Sequence, residues 1–151
     1  MKTVALLLFS AALLSPMAAR AAESVPALTF ATLAKTVAGK GGTPSFPKAL
    51  SGLDGKKVSV TGYISPYDQH ALRLKKFILT PELNPGCYQC NPPDDNAVVF
   101  VRLPASATPM AWKSDTVTVQ GTLHLKGSRK DDKEADAFYV TLDDAVVTAR
   151  K

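Results

Sequence analysis

Two stretches of alternating apolar and polar residues, each with a glycine in its middle, constrain the fold more than any other feature. Both read V-x-V-x-G, and their glycines are Gly62 and Gly121. A period of two predicts half-buried strands, and a mid-strand glycine is costly unless the strand bends sharply, as in a small closed barrel. The pattern therefore favours a barrel over a flat sheet. The residues predicted to face inward are Val58, Val60, Gly62 and Ile64 in the first stretch and Val117, Val119, Gly121, Leu123 and Leu125 in the second.

Three further apolar stretches bring the predicted strands to five. They are Leu74 to Thr80, Ala97 to Leu103, and Ala137 to Thr141, the last resuming over Ala145 to Thr148. Between the third and fourth strands, the capping Thr108 and the following proline predict one helical turn over Thr108 to Trp112. A mainly β, five-stranded barrel with a helical element there has the layout of the OB-fold. A five-stranded barrel of another topology is the alternative.

The first 21 residues have the pattern of a secretory signal peptide. Lys2 precedes an apolar run, which is too short to span a bilayer, and Ala19-Arg20-Ala21 suits cleavage after residue 21. We therefore expect a periplasmic protein with no stable membrane insertion. Two of the 18 basic residues leave with the signal, which lowers the formal net charge from +5 to +3. This mild basicity and export together argue against nucleic acid as a partner.

The mature chain divides into two predicted parts. Residues 22–47 hold an amphipathic helix from Leu28 to Val37, which ends before Gly39, and then a loop that Phe46 could fix to the domain. Residues 48–151 form the OB-fold-like barrel domain.

The loop between the second and third predicted strands contains both cysteines of the chain, Cys87 and Cys90. Three uses fit this spacing: a structural disulfide, a metal site and thiol-disulfide exchange. Exchange chemistry is disfavoured because Asn91 precedes two prolines, so that a helix is not expected to run through Cys90. An exported chain with an even cysteine count favours a disulfide, which would contribute about 2 kcal/mol and fix the shape of the loop.

Metal binding is the other interpretation of the cysteine pair, since two thiolates suit a Cu or Zn ion. The candidate additional ligands are His70 and His124, although His124 lies in an outward-facing polar row and His70 in a loop, so that solvated surface histidines explain both. The other residues of the predicted binding loop are Tyr88, Gln89, Asn91, Asp94, Asp95 and Asn96.

Templates for enzyme active sites fail on the sequence, which contains neither G-x-S-x-G nor H-E-x-x-H. Asp94-Asp95 and Asp143-Asp144 are adjacent pairs, and adjacent side chains on extended backbone point to opposite faces. We therefore predict solvated carboxylates rather than an acid/base couple. The connection from Lys126 to Asp136 holds four basic and four acidic residues and is predicted to be a solvated hairpin tip. Phe77 and Phe100 are predicted to be core residues rather than base-stacking platforms.

The sequence resembles exported bacterial proteins of the domain-of-unknown-function family 3299. The resemblance covers Leu53 to Pro66, Phe77 to Pro81 and Gly86 to Asn96. Gln89 and Cys90 stand where the family's loop pattern has a histidine. The positions that match this pattern are Cys87, Pro92, Pro93 and Asn96. The resemblance implies an OB-type barrel and export, and it implies no activity.

Together these patterns predict a non-enzymatic periplasmic OB-fold module. Its Cys87 to Asn96 loop is expected to contact a ligand, with a transition metal ion as the first hypothesis. The alternative is a protein-protein adaptor of an envelope transporter, or of another periplasmic protein, in which a disulfide shapes the same loop.

Overall fold

The computed structural model describes residues 24–68, 73–83, 94–113, 115–128 and 132–150, and only the backbone of Asp95. The predicted signal peptide lies outside these residues. Two short helices are described, α1 (Phe30–Leu33) and α2 (Lys48–Ser51), together with 3₁₀ turns at Lys40–Gly42, Asp95–Ala97 and Ala135–Ala137. The strands are β1 (Ala27–Leu28), β2 (Val37–Ala38), β3 (Pro44–Ser45), β4 (Lys57–Pro66), β5 (Arg73–Leu74), β6 (Lys76–Thr80), β7 (Val99–Arg102), β8 (Met110–Ala111), β9 (Thr116–Leu125) and β10 (Val140–Arg150).

Five of the strands close into a barrel in the order β4-β6-β7-β10-β9, with β9 pairing back to β4. All neighbours in the ring are antiparallel except β7 and β10, which are parallel. This order, in which the fifth barrel strand lies between the third and fourth, is that of the OB-fold. The predicted fold class is therefore confirmed. Strand β1 pairs in parallel with β4, at Ser59 and Val60.

The two glycine-containing stretches are neighbouring strands, β4 and β9, which pair so that Gly62 lies opposite Val117 and Gly121 opposite Val58. Every position predicted to face inward is buried. A Cβ at Gly62 would stand 2.7 Å from the backbone oxygen of Thr80. A Cβ at Gly121 would stand 2.9 Å from the backbone oxygen of Asp143. Only glycine fits these two close approaches, as the barrel interpretation predicts.

The apolar residues form two clusters on opposite sides of the β6–β7 wall. The barrel interior contains Phe77 with most of the buried valines and leucines, and Phe46 packs on it by an edge-on contact with Tyr139 at 6.4 Å. The outer cluster consists of Ile78, Val98, Phe100 and Phe138, with Tyr67 packed against it. Phe77 and Phe100 are both fully buried, as predicted.

The predicted N-terminal helix over Leu28 to Val37 is wrong in length. Only Phe30–Leu33 is helical, because Leu28 pairs with β4 in β1 and Val37 pairs with β3 in β2. Thr29 caps the helix, its Oγ1 accepting from the backbone N–H of Thr32. The apolar spacing reflected burial only in part: Leu28 and Leu33 reach the core, whereas Val37 is 64% exposed.

The predicted helical turn over Thr108 to Trp112 is absent. Met110–Ala111 is instead strand β8, which pairs with β5. The indole Nε1 of Trp112 also donates to the carbonyl of Ile64 at 3.1 Å. A Thr-Pro capping signal acts only locally, and these pairings across the chain outweigh it.

Strand boundaries also differ from the prediction: Ala97 and Ala137, the predicted first residues of two strands, lie in 3₁₀ turns, and the strands begin at Val99 and Val140. The stretch from Leu74 to Thr80 is split at Lys75, whose carbonyl accepts from the backbone N–H of Leu103 at 2.8 Å. The last strand is continuous over Val140–Arg150, with a register shift after Asp143 and a positive φ of 48° at Asp144. A bulge therefore carries the strand through the gap that the sequence predicted. No helix in the described residues is long and apolar enough to cross a membrane.

Candidate functional site

The predicted Cys87 to Asn96 loop joins the end of β6 to the start of β7. Asp94 is exposed and Asn96 is partly buried. The predicted site residues that lie outside the described part of the chain are His70, Cys87, Tyr88, Gln89, Cys90, Asn91 and the side chain of Asp95.

Both stems of this loop are held by side-chain hydrogen bonds. At the first stem, the Thr80 hydroxyl donates to the carbonyl of Glu82 at 2.7 Å. At the second, the Asn96 amide donates to the carbonyls of Ala34 and Thr36, each at 3.3 Å. Asn96 thus ties α1 and its sequel to the barrel, and its amide hydrogens are used within the protein. The loop is consequently presented from two fixed points.

The sequence predicted a solvated surface histidine at position 124, and the structure differs from this prediction. The side chain of His124 is 23% exposed, and its Nε2 lies 3.8 Å from Oδ2 of Asp143. Among the described residues, no group of three histidine, cysteine, aspartate or glutamate side chains could hold a metal ion. The structure therefore groups His124 with Asp143 rather than with a described metal site.

An ion-pair network centred on Arg102 was missed by sequence reasoning. The Nε and Nη2 atoms of Arg102 donate to the two carboxylate oxygens of Asp143 at 2.6 and 2.9 Å, and Nη2 also donates to Asp132 at 2.6 Å. The hydrogen bonds that Arg102 donates to Asp143, and then those to Asp132, raise the pKa of Arg102 above its usual value, although burial opposes them. Asp143 is 9% exposed, so its prediction as a solvated carboxylate is wrong.

The connection from Lys126 to Asp136 was predicted to be a solvated hairpin tip, but its described residues 134–136 are buried or partly buried. Its Glu134 accepts two hydrogen bonds from Nζ of Lys76, at 2.7 and 2.8 Å. Just beyond it, the Phe138 ring stacks on Phe100, with centroids 4.6 Å apart and planes at 15°. We call residues 132–138 the strap. We call the outward side of β6 and β7, with Lys76, Ile78, Phe100 and Arg102, the outer face.

The outer face could have been found from the sequence only in part. Lys76 and Ile78 share one parity of their strand, and Phe100 and Arg102 share one parity of theirs, which marks them as outward. Opposite charges in the β9–β10 connection gave a second signal. What the sequence lacked was the register that places Lys76 beside Arg102 and Ile78 beside Phe100.

Next to the outer face lies an open cavity of about 440 Å³ with a mixed-charge lining. Its charged lining includes Lys75, Arg102 and the bulge residue Asp144. An apolar groove of about 280 Å³ adjoins this cavity through Leu103 and Pro104.

Comparison with known proteins identifies the family and the fold. A DUF3299 family protein from Pseudomonas aeruginosa PAO1, with a crystal structure at 2.45 Å resolution, superposes with a TM-score of 0.51 at 20% identity. The match covers 85% of this chain and 95% of that one, and at this identity it supports the fold alone. No curated protein matches the chain. The model of the family described as "Protein of unknown function (DUF3299)" matches residues 42–148, and the chain therefore belongs to the DUF3299 family.

Proposed function

We propose that this protein is an exported, non-enzymatic OB-fold binding module whose Cys87 to Asn96 loop holds a transition metal ion. The observation that carries the proposal is the anchoring of this loop at Thr80 and Asn96. Stems fixed on the barrel set the positions of the two ends of the loop before a ligand binds, which lowers the ordering cost of binding.

The chemistry of the loop supports a soft metal ion. Cys87 and Cys90 supply two thiolates, which nearly satisfy Cu(I). Zn(II) takes four ligands, and the exposed Asp94 carboxylate follows the cysteines closely in the chain. Metal bound by thiolates must displace their protons, so the two cysteines would resist alkylation while the ion is present.

Elemental analysis of protein purified from periplasm, together with a thiol count, tests this proposal. We expect one Cu or Zn ion per chain, and thiols that become alkylated only after a chelator is added. Cys87→Ser/Cys90→Ser should lose the ion. His124→Gln is the matched control and should retain it, because His124 is in contact with Asp143. Metal-free protein with two freely alkylated cysteines would refute the proposal.

A protein-protein adaptor for an envelope transporter is the second candidate, with Cys87 and Cys90 joined as a disulfide. It is favoured by exposed apolar side chains near the stems of the loop: Leu83 is 46% exposed, and Val37, which follows Thr36, is 64% exposed. A photo-crosslinking amino acid at position 83 should then give an adduct with a transport protein in living cells. The same amino acid in place of Thr122, on β9, is the control and should give no adduct.

A further inference from the structure

The outer face of β6 and β7 corresponds to the surface on which OB-folds bind their ligands, the face of the second and third barrel strands flanked by the fourth-to-fifth connection. In this chain that connection contains the strap, which lies on the face. Glu134 is paired with Lys76, Asp132 with Arg102, and the Phe138 ring with Phe100. A segment of the chain thus covers the surface that corresponds to the ligand face of OB-folds.

The contacts follow the geometry of the strands. Lys76 and Arg102 are cross-strand neighbours, and Ile78 and Phe100 are the neighbours two residues along on the same side. The face therefore offers two cations side by side and an aromatic ring one step away. The strap meets this arrangement with two carboxylates followed by a ring. Its sequence from residue 132 to 138 is D-K-E-A-D-A-F.

We propose that the outer face is a binding site for an acidic peptide segment carrying an aromatic side chain, and that the strap is an internal mimic which such a segment displaces. This site lies at the opposite end of β6 and β7 from the cysteine loop, so the inference is independent of metal binding. The ligand chemistry is taken from the occupant that the structure shows, namely carboxylates on Lys76 and Arg102 and a ring on Phe100.

The contacts of the strap range from an exposed ion pair to the Phe138 ring, which is 3% exposed. The side chains of Lys76 and Glu134 are 47% and 31% exposed, and a pair so exposed to solvent holds weakly. The two-point contact of Arg102 is with Asp143, which belongs to β10 and not to the strap. The face would therefore remain organised when the strap is released, with Arg102 still directed by Asp143.

The same charges favour a peptide over a nucleic acid. An oligonucleotide needs a run of cations along its backbone. At the adjoining cavity, Asp143 and Asp144 are interspersed with the cations, so that its described lining offers no uninterrupted run of positive charge. A short segment with two carboxylates and one ring makes no such demand.

Fluorescence anisotropy with a labelled peptide of residues 132–139 (DKEADAFY) tests the proposal. Asp132→Asn/Glu134→Gln weakens the strap and leaves every residue of the face intact. We expect this variant to bind the peptide about tenfold more tightly than the unmodified protein, because binding requires a released strap and two partly exposed ion pairs are lost. The gain should shrink at high salt.

Adding Lys76→Gln to the double variant should reverse most of the gain, and replacing the phenylalanine of the peptide by alanine should weaken binding. Circular dichroism verifies that each protein is folded, and Glu134→Gln alone replaces the double variant if that variant is unfolded. Equal affinity for the strap variant and the unmodified protein would overturn the proposal. Binding that ignores Lys76→Gln, or that is seen with a dT10 oligonucleotide but not with the peptide, would overturn it as well.

Discussion

Replacing Gly62 by alanine tests the close approach on which the barrel depends. The added methyl would lie 2.7 Å from the backbone oxygen of Thr80 and 2.9 Å from Cε2 of Phe30. Phe30 could turn aside, but the Thr80 oxygen belongs to the strand that pairs with β4, so that β4 and β6 must separate. Overpacking of this kind costs about 1 to 3 kcal/mol. Alanine recovers about 0.4 to 1 kcal/mol by restricting the unfolded chain. We expect a net loss of about 1 to 2 kcal/mol.

The matched control is the same substitution at Gly52. This glycine has an ordinary helical φ of −70°, and its Cβ would lie 3.5 Å from the carbonyl of Lys48, which is normal contact. Gly52→Ala should therefore be neutral or slightly stabilising. Urea denaturation followed by circular dichroism gives the free energy of unfolding of both variants. We expect the midpoint to fall for Gly62→Ala at an unchanged slope.

Equal midpoints for Gly62→Ala and Gly52→Ala would refute this reasoning, because the two changes add the same methyl group. Such a result would mean that β4 and β6 can separate without cost at this point. The requirement for glycine in a tightly bent barrel strand would then fail.

Three further predictions concern other parts of the molecule. Arg102→Gln should lower the free energy of unfolding by about 1 to 3 kcal/mol, because it leaves the Asp143 carboxylate without its main partner. Arg150→Gln removes an exposed ion pair and should cost under about 1 kcal/mol in the same urea assay. Asn96→Ala should cost about 1 to 2 kcal/mol and increase proteolysis near α1, since two carbonyls lose their donor. Intact-mass measurement on periplasmic protein should show loss of residues 1–21, and a protein still beginning at Met1 would contradict the export signal.

The alternation of apolar and polar residues predicted which side chains of a single strand face the core. Alternation along one strand fixes which side chains face inward, and this part of the prediction for β4 and β9 is confirmed. Helical patterns of a few residues were less informative. The segment around Thr108 became part of a strand pair because β5, distant in the sequence, supplied a pairing partner. A short segment takes the structure that its neighbours in space stabilise.

The candidate sites likewise combine features that are visible in the sequence with features that depend on the tertiary structure. The cysteine spacing and the position of their loop between two strands are visible in the sequence alone. The hydrogen bonds of Asn96, the network around Arg102 and the stacking of Phe138 on Phe100 join residues 30 to 62 positions apart in the chain. Such contacts depend on strand register and on the path of a long connection. Sequence periodicity therefore determined the barrel and its inward faces, whereas only the tertiary structure decided which charges meet, because a one-residue change of register would bring different side chains together.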